Sequence, residues 1–98
     1  MLVHSVYFWL KSDLSDSERG DFAAGLETLK EIPAAEAVYV GTPSTTDRPV
    51  IDNSYDFALT LIFRDMDAHD AYQVDPRHKS FLETFKPMFE KVLIYDAD

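Results

Sequence analysis

A chain of 98 residues, 46% hydrophobic and 13% aromatic, is long enough for one domain (residues 1–98) and too short for two. With no cysteine, neither a disulfide framework nor a thiolate site is available to it. Nine Lys and Arg against 18 Asp and Glu give a net charge of −9, with no basic stripe, which argues against nucleic acid and anionic membranes as partners.

The opening stretch, 1–11, lacks the basic leader of a secretory signal. No segment approaches the ~20 apolar residues needed to span a bilayer, so the expectation is a cytoplasmic protein without membrane contact. Leu2 to Leu10 is rich in aromatic and β-branched residues, with His4 and Ser5 the only polar side chains, and reads as a strand buried on both faces. Ser15-Asp16-Ser17-Glu18 is a capping box at a helix start. Phe22, Leu26 and Leu29 follow at helical spacing until Pro33 stops the helix. Glu36 to Thr42 alternates around Val38 and Val40 as a second strand.

Thr42 to Ser54 collects Pro, Ser, Thr, Asp and Asn. It is a long loop for so small a domain, either a lid or dimer-contact arm or a plain hairpin excursion. Tyr55 to Phe63 is the strongest strand, with Tyr55, Phe57, Leu59, Leu61 and Phe63 on a core face. Asp65 caps a short helix through Tyr72, Pro76 interrupts it, and a further helix carries Phe81, Leu82, Phe85 and Phe89. Lys91 to Tyr95 is the last strand. The order strand, helix, strand, strand, helix, strand is the ferredoxin-like βαββαβ pattern of an α+β domain with a four-stranded antiparallel sheet.

Two helical layers of this kind cover one face of such a sheet, and the other is normally polar where it meets water. Here His4, Val6, Phe8, Leu59, Leu61, Val92 and Ile94 suit the helix-covered side, while the opposite side still offers Val3, Tyr7, Trp9, Ile62, Leu93 and Tyr95. An apolar patch of that size points to an interface, and two copies packed through it make a homodimeric barrel; the alternative is a monomer whose amphipathic Tyr and Trp side chains tolerate partial exposure.

Three histidines are the groups poised to move protons near neutral pH. His69 reads as a solvated residue on the polar side of its helix. His4 lies on the core face, where it either satisfies itself by hydrogen bonding or lines a cavity. His78 follows the Pro76 break, where it and Tyr72 converge over a pocket as a proton acceptor and a polarising phenol; the alternative is a capped helix junction whose histidine bonds the backbone. No metal-ligand spacing and no phosphate-cradling glycine loop occur, so neither a metal nor a cofactor is expected.

Tyr72-Gln73-Val74-Asp75-Pro76-Arg77-His78, with His4-Ser5-Val6-Tyr7-Phe8 at one end and Lys91-Val92-Leu93-Ile94-Tyr95-Asp96 at the other, resembles the stress-responsive dimeric α/β-barrel family. The resemblance spans essentially the whole chain and implies a stress-associated dimeric barrel that binds a small apolar or aromatic ligand between sheet and helices. His4, Val6, Phe8, Leu59, Leu61, Phe81, Val92 and Ile94 would line that pocket. By analogy with the family's olivetolic acid cyclase-like barrels, it also implies a second reading: a cofactor-independent polyketide cyclase or isomerase in which His78 is the general base and Tyr72 its partner. A third is a cofactor-free monooxygenase. This chain departs from the cyclase at Asp75, where that enzyme has a histidine; a negative charge there would repel an acidic polyketide.

Overall fold

The first strand sets the architecture. Strand β1 (Leu2–Leu10) alternates buried and half-buried residues along its whole length, which is how a strand behaves when even positions face a core and odd positions the other side. The computed structural model describes residues 1–98. It places β1 between strands β3 (Phe57–Phe63) and β4 (Phe89–Ala97), antiparallel to both, and strand β2 (Ala37–Gly41) completes the order β2-β3-β1-β4.

Helices α1 (Asp16–Thr28), α2 (Met66–Val74) and α3 (Pro76–Phe85) supply the other layer. Phe22 and Leu26 of α1, Tyr72 of α2 and Phe81 of α3 join Leu2, Val6, Phe8, Leu10, Leu59, Leu61 and Phe63 in one core. Each helix begins where a side chain satisfies its free backbone N–H groups. The Glu18 N–H donates to Ser15 Oγ at 3.1 Å while Ser15 N–H donates to Glu18 Oε1 at 3.0 Å. Asp65 accepts from Ala68 N–H at 2.9 Å and Asp75 from Arg77 N–H at 2.8 Å. No helix is long and apolar enough to cross a membrane.

Three sequence expectations need correction. Phe89 does not close α3 but opens β4: a 3₁₀ turn over Lys86–Met88 contains Pro87, whose missing N–H ends the helix and releases the chain into the strand. The same strand runs to Ala97, two residues past the expected end at Tyr95. Val92 and Ile94 are on the core-facing side but 37% and 49% exposed, because β4 is an edge strand whose cavity side the helices leave partly open.

The opposite sheet face carries an aromatic hollow of about 270 Å³ bounded by Tyr7, Trp9, Asp52, Tyr55, Leu93 and Tyr95. Tyr55 is a further correction: it lies ahead of β3 and packs on this face instead of the core, meeting Tyr7 edge-on at 5.0 Å between centroids, and the Trp9 indole N–H donates to Ser54 Oγ at 3.0 Å. The end of the long loop therefore folds onto this face and not over the helix side. Asp56 then anchors the return into β3, accepting from Leu10 N–H at 2.7 Å and from the Arg19 guanidinium at 3.2 Å.

One glycine has a packing reason. A Cβ on Gly25 of α1 would sit 2.3 Å from Cε2 of Phe85, whereas one on Gly20 would meet nothing within 4 Å. Gly25→Ala should therefore lower the unfolding free energy by about 1–3 kcal/mol through overpacking. Gly20→Ala, in the same helix and with open space, should raise it by about 0.4–1 kcal/mol. Urea unfolding of the two variants side by side checks both signs, and equal effects would contradict the packing argument.

Candidate functional site

The junction between α2 and α3 is built by Asp75. Its extended backbone ends α2, its carboxylate caps α3, and Pro76 takes the first helical position, where a missing N–H costs nothing. His78 is thereby set in the first turn of α3, with its Nδ1 3.2 Å from the Gln73 carbonyl oxygen. A carbonyl only accepts, so Nδ1 carries the proton and Nε2 is the bare nitrogen of the neutral ring. The junction is thus capped and backbone-bonded, and the same bond fixes the tautomer that a proton acceptor requires.

Tyr72, six residues earlier in the last turn of α2, is 1% exposed, and its ring lies 4.6 Å from that of His78. Burial, with the Asp75 charge as a lesser cause, pushes the Tyr72 phenol well above its ordinary value. Burial also holds the His78 imidazole below its ordinary value, its hydrogen bond to the Gln73 carbonyl opposing that in part. At neutral pH the pair is a phenol that stays protonated and an imidazole that stays neutral.

Both rings border one cavity of about 150 Å³ between sheet and helices, which His4, Val6, Phe8, Leu59, Phe81, Val92 and Ile94 also line. Leu29, Gln73, Leu82 and Phe89 complete it. Leu61 is a correction: it pairs with His4 across β1 and β3 but is fully enclosed in the core and does not line the cavity. None of residues 42–54 lines it either. The partial exposure of Val92 and Ile94 puts the mouth at the β4 edge. Asp75 lies outside the lining and is paired with Arg77 at 2.9 Å, so its charge reaches the cavity only as the lesser influence on Tyr72 and His78.

Two residues were missed from sequence. Asp96 stands directly opposite His4 in the β1–β4 register, and the His4 Nδ1–H donates to its carboxylate at 2.5 Å; alternation through Val92, Ile94 and Asp96 carries that signal, but a strand ending at Tyr95 leaves Asp96 out. His69 is not a solvated surface residue. It is three residues before Tyr72, hence on the same helical face, and its ring lies 5.2 Å from His4 and 5.5 Å from Phe63.

The profile of the stress responsive A/B barrel domain, Dabb, matches residues 2–98. The chain belongs to this family. Among solved structures, a Dabb protein with a ferredoxin-like fold from Mesorhizobium loti is 26% identical, with 99% of this chain and 94% of that one covered and a TM-score of 0.80. A dimeric ferredoxin-like protein of unknown function from Thermobifida fusca is 22% identical over 98% of this chain and 88% of its own, with a TM-score of 0.80. The hydroxynitrile lyase of Passiflora edulis is 22% identical over 98% and 90%, with a TM-score of 0.79. No curated protein matches the sequence significantly. The Dabb fold is thus shared with proteins of different or unknown activity, and activity has to be argued from the site.

Proposed function

We propose that this Dabb protein takes a small aromatic or apolar carbonyl compound into the cavity between sheet and helices and performs acid–base chemistry on it, as a homodimer joined through the face bearing Tyr7, Trp9, Ile62 and Leu93. The observation that carries the reading is the contact between Tyr72 and His78 on the wall of one apolar cavity. His78 Nε2 removes a proton from the carbon beside the carbonyl, the electron pair moves onto the carbonyl oxygen, and the Tyr72 hydroxyl stabilises that oxygen by donating to it. Return of the proton at another carbon completes an isomerisation; attack by the carbanion on a second carbonyl of the same molecule completes a ring closure.

A cavity near 150 Å³ matches a single benzene-sized ring, which favours one-ring substrates over extended polyketides. The dimeric state of the Thermobifida fusca protein supports the assembly, and the lyase among the similar structures supports a catalytic reading of the fold.

The test screens one-ring aromatic aldehydes and ketones bearing an α-hydrogen for thermal stabilisation. It then follows deuterium uptake beside the carbonyl by NMR. His78→Ala should slow uptake by about 10²–10⁴-fold while binding persists; equal uptake in the variant removes His78 from the role. Stabilisation without uptake in either protein would make the molecule a ligand carrier and not a catalyst.

The pH dependence has a definite sign. Because burial lowers the His78 value from 6.5, the base remains neutral below the midpoint of free imidazole, and the acid limb of the uptake profile should lie below about 6.5. In the window beneath 6.5 the unfolded chain binds more protons at this residue than the folded one, so His78 makes stability fall with falling pH. Urea unfolding between about pH 7.5 and pH 5, compared with His78→Ala, isolates that contribution as a flatter profile in the variant.

A further inference from the structure

His4, His69 and Asp96 come from β1, α2 and β4 and lie 65 and 27 residues apart in sequence, yet each offers a ligand atom within 4.8 Å of the other two. The geometry points to a binding site for one divalent transition-metal ion, held by a nitrogen from each histidine and an oxygen from Asp96. It borders the cavity through His4 and is separate from Tyr72 and His78, so it stands independently of the acid–base reading.

Two imidazoles and a carboxylate are a donor set suited to Zn²⁺, Fe²⁺ or Co²⁺, and three protein ligands leave coordination positions open. Such ligands sit about 2.1 Å from the ion and therefore roughly 3–3.5 Å from one another. The trio closes to that spacing by side-chain rotation of at most an ångström or two. The Nδ1 proton that His4 now donates to Asp96 moves by exchange with solvent to Nε2 of the same ring, so the imidazole stays neutral as the ion takes the place between Nδ1 and the carboxylate.

The surroundings supply a second, independent observation. His69 Nδ1–H donates to the Asp70 carboxylate at 3.1 Å, which leaves Nε2 bare and fixes the ring by an outer carboxylate, the arrangement typical of metal-ligating histidines. The Gln73 amide approaches that nitrogen at 3.4 Å, at the long limit of a hydrogen bond and easily displaced. His4 is enclosed while the Asp96 side chain is 46% exposed, so an ion has a way in from solvent. A net charge of −9 draws cations towards it.

The test uses tag-free, EDTA-stripped full-length protein titrated with Zn²⁺ by calorimetry and with Co²⁺ by visible absorption. One ion per chain, Co²⁺ bands of a nitrogen-containing low-coordinate site and a raised unfolding temperature are expected. His69→Ala and Asp96→Asn should each weaken Zn²⁺ binding by more than about 10-fold, and Asp70→Asn by about 10-fold. Asp67→Asn, on the same helix but outside the trio, should change nothing. Because His4 is in the core, its part is read without mutation, from paramagnetic shifts of the His4 and His69 ring protons in the Co²⁺ form. No binding tighter than roughly 1 mM, or affinity unchanged in His69→Ala, overturns the site.

Discussion

Phe22→Ala should cost about 3–5 kcal/mol, enough to leave a chain of this size largely unfolded at physiological temperature. Phe22 is fully buried, and its ring lies 5.2–5.9 Å from those of Phe8, Phe57, Phe81, Phe85 and Phe89. These five come from β1, β3, α3 and β4, so one side chain ties both layers together. Truncation removes the transfer free energy of the ring and leaves a hole that five rigid aromatics on four elements cannot collapse into. Total stability is only about 5–15 kcal/mol for a domain. Denaturant unfolding followed by near-ultraviolet circular dichroism measures the loss; a cost below about 1 kcal/mol would mean that the aromatic cluster is not the organising centre of the core.

Tyr95→Asp should dissociate the homodimer proposed above without unfolding the subunit. Tyr95 is 62% exposed in the single chain, so little of the subunit's own packing depends on it, yet it borders the hollow with Tyr7, Trp9 and Leu93. A two-fold axis places each substitution twice in the interface. A lost aromatic anchor costs about 2 kcal/mol or more per site, and an unpaired carboxylate adds to that. Two sites give about 4 kcal/mol, roughly a thousandfold in dissociation constant. Sedimentation equilibrium of parent and variant reads the shift. A parent protein that sediments as a single 11.2 kDa species at low micromolar concentration would show that this face pairs with nothing.

How far the sequence could be read depended on whether the signal was local. Alternation along Leu2–Leu10 identified the core face of the central strand, and the Ser15–Glu18 pattern marked the start of α1, because both depend on neighbouring residues. The Tyr72–Pro76–His78 junction was legible for the same reason. Where the reading faltered, tertiary context had decided. Phe89 continues the helical spacing of Phe81 and Phe85, and only the turn at Pro87 hands it to the strand. Val92 and Ile94 alternate like core residues, but an edge position leaves them half open. The His4, His69 and Asp96 trio has no spacing signature, since strand register and helix phase create it only after folding.

The missing side chain at Gly25 has an effect beyond its own helix. Phe85 rests against bare backbone there and in turn abuts Phe81, a wall of the cavity, at 5.1 Å. Anything inserted at that contact acts as a shim between the two longest helices, and the displacement is passed by Phe81 to the chamber it lines. The bore of the pocket is thus set partly by a buried position on a neighbouring helix that never meets the ligand, which offers a route to altered ligand size that leaves every proton-handling group in place.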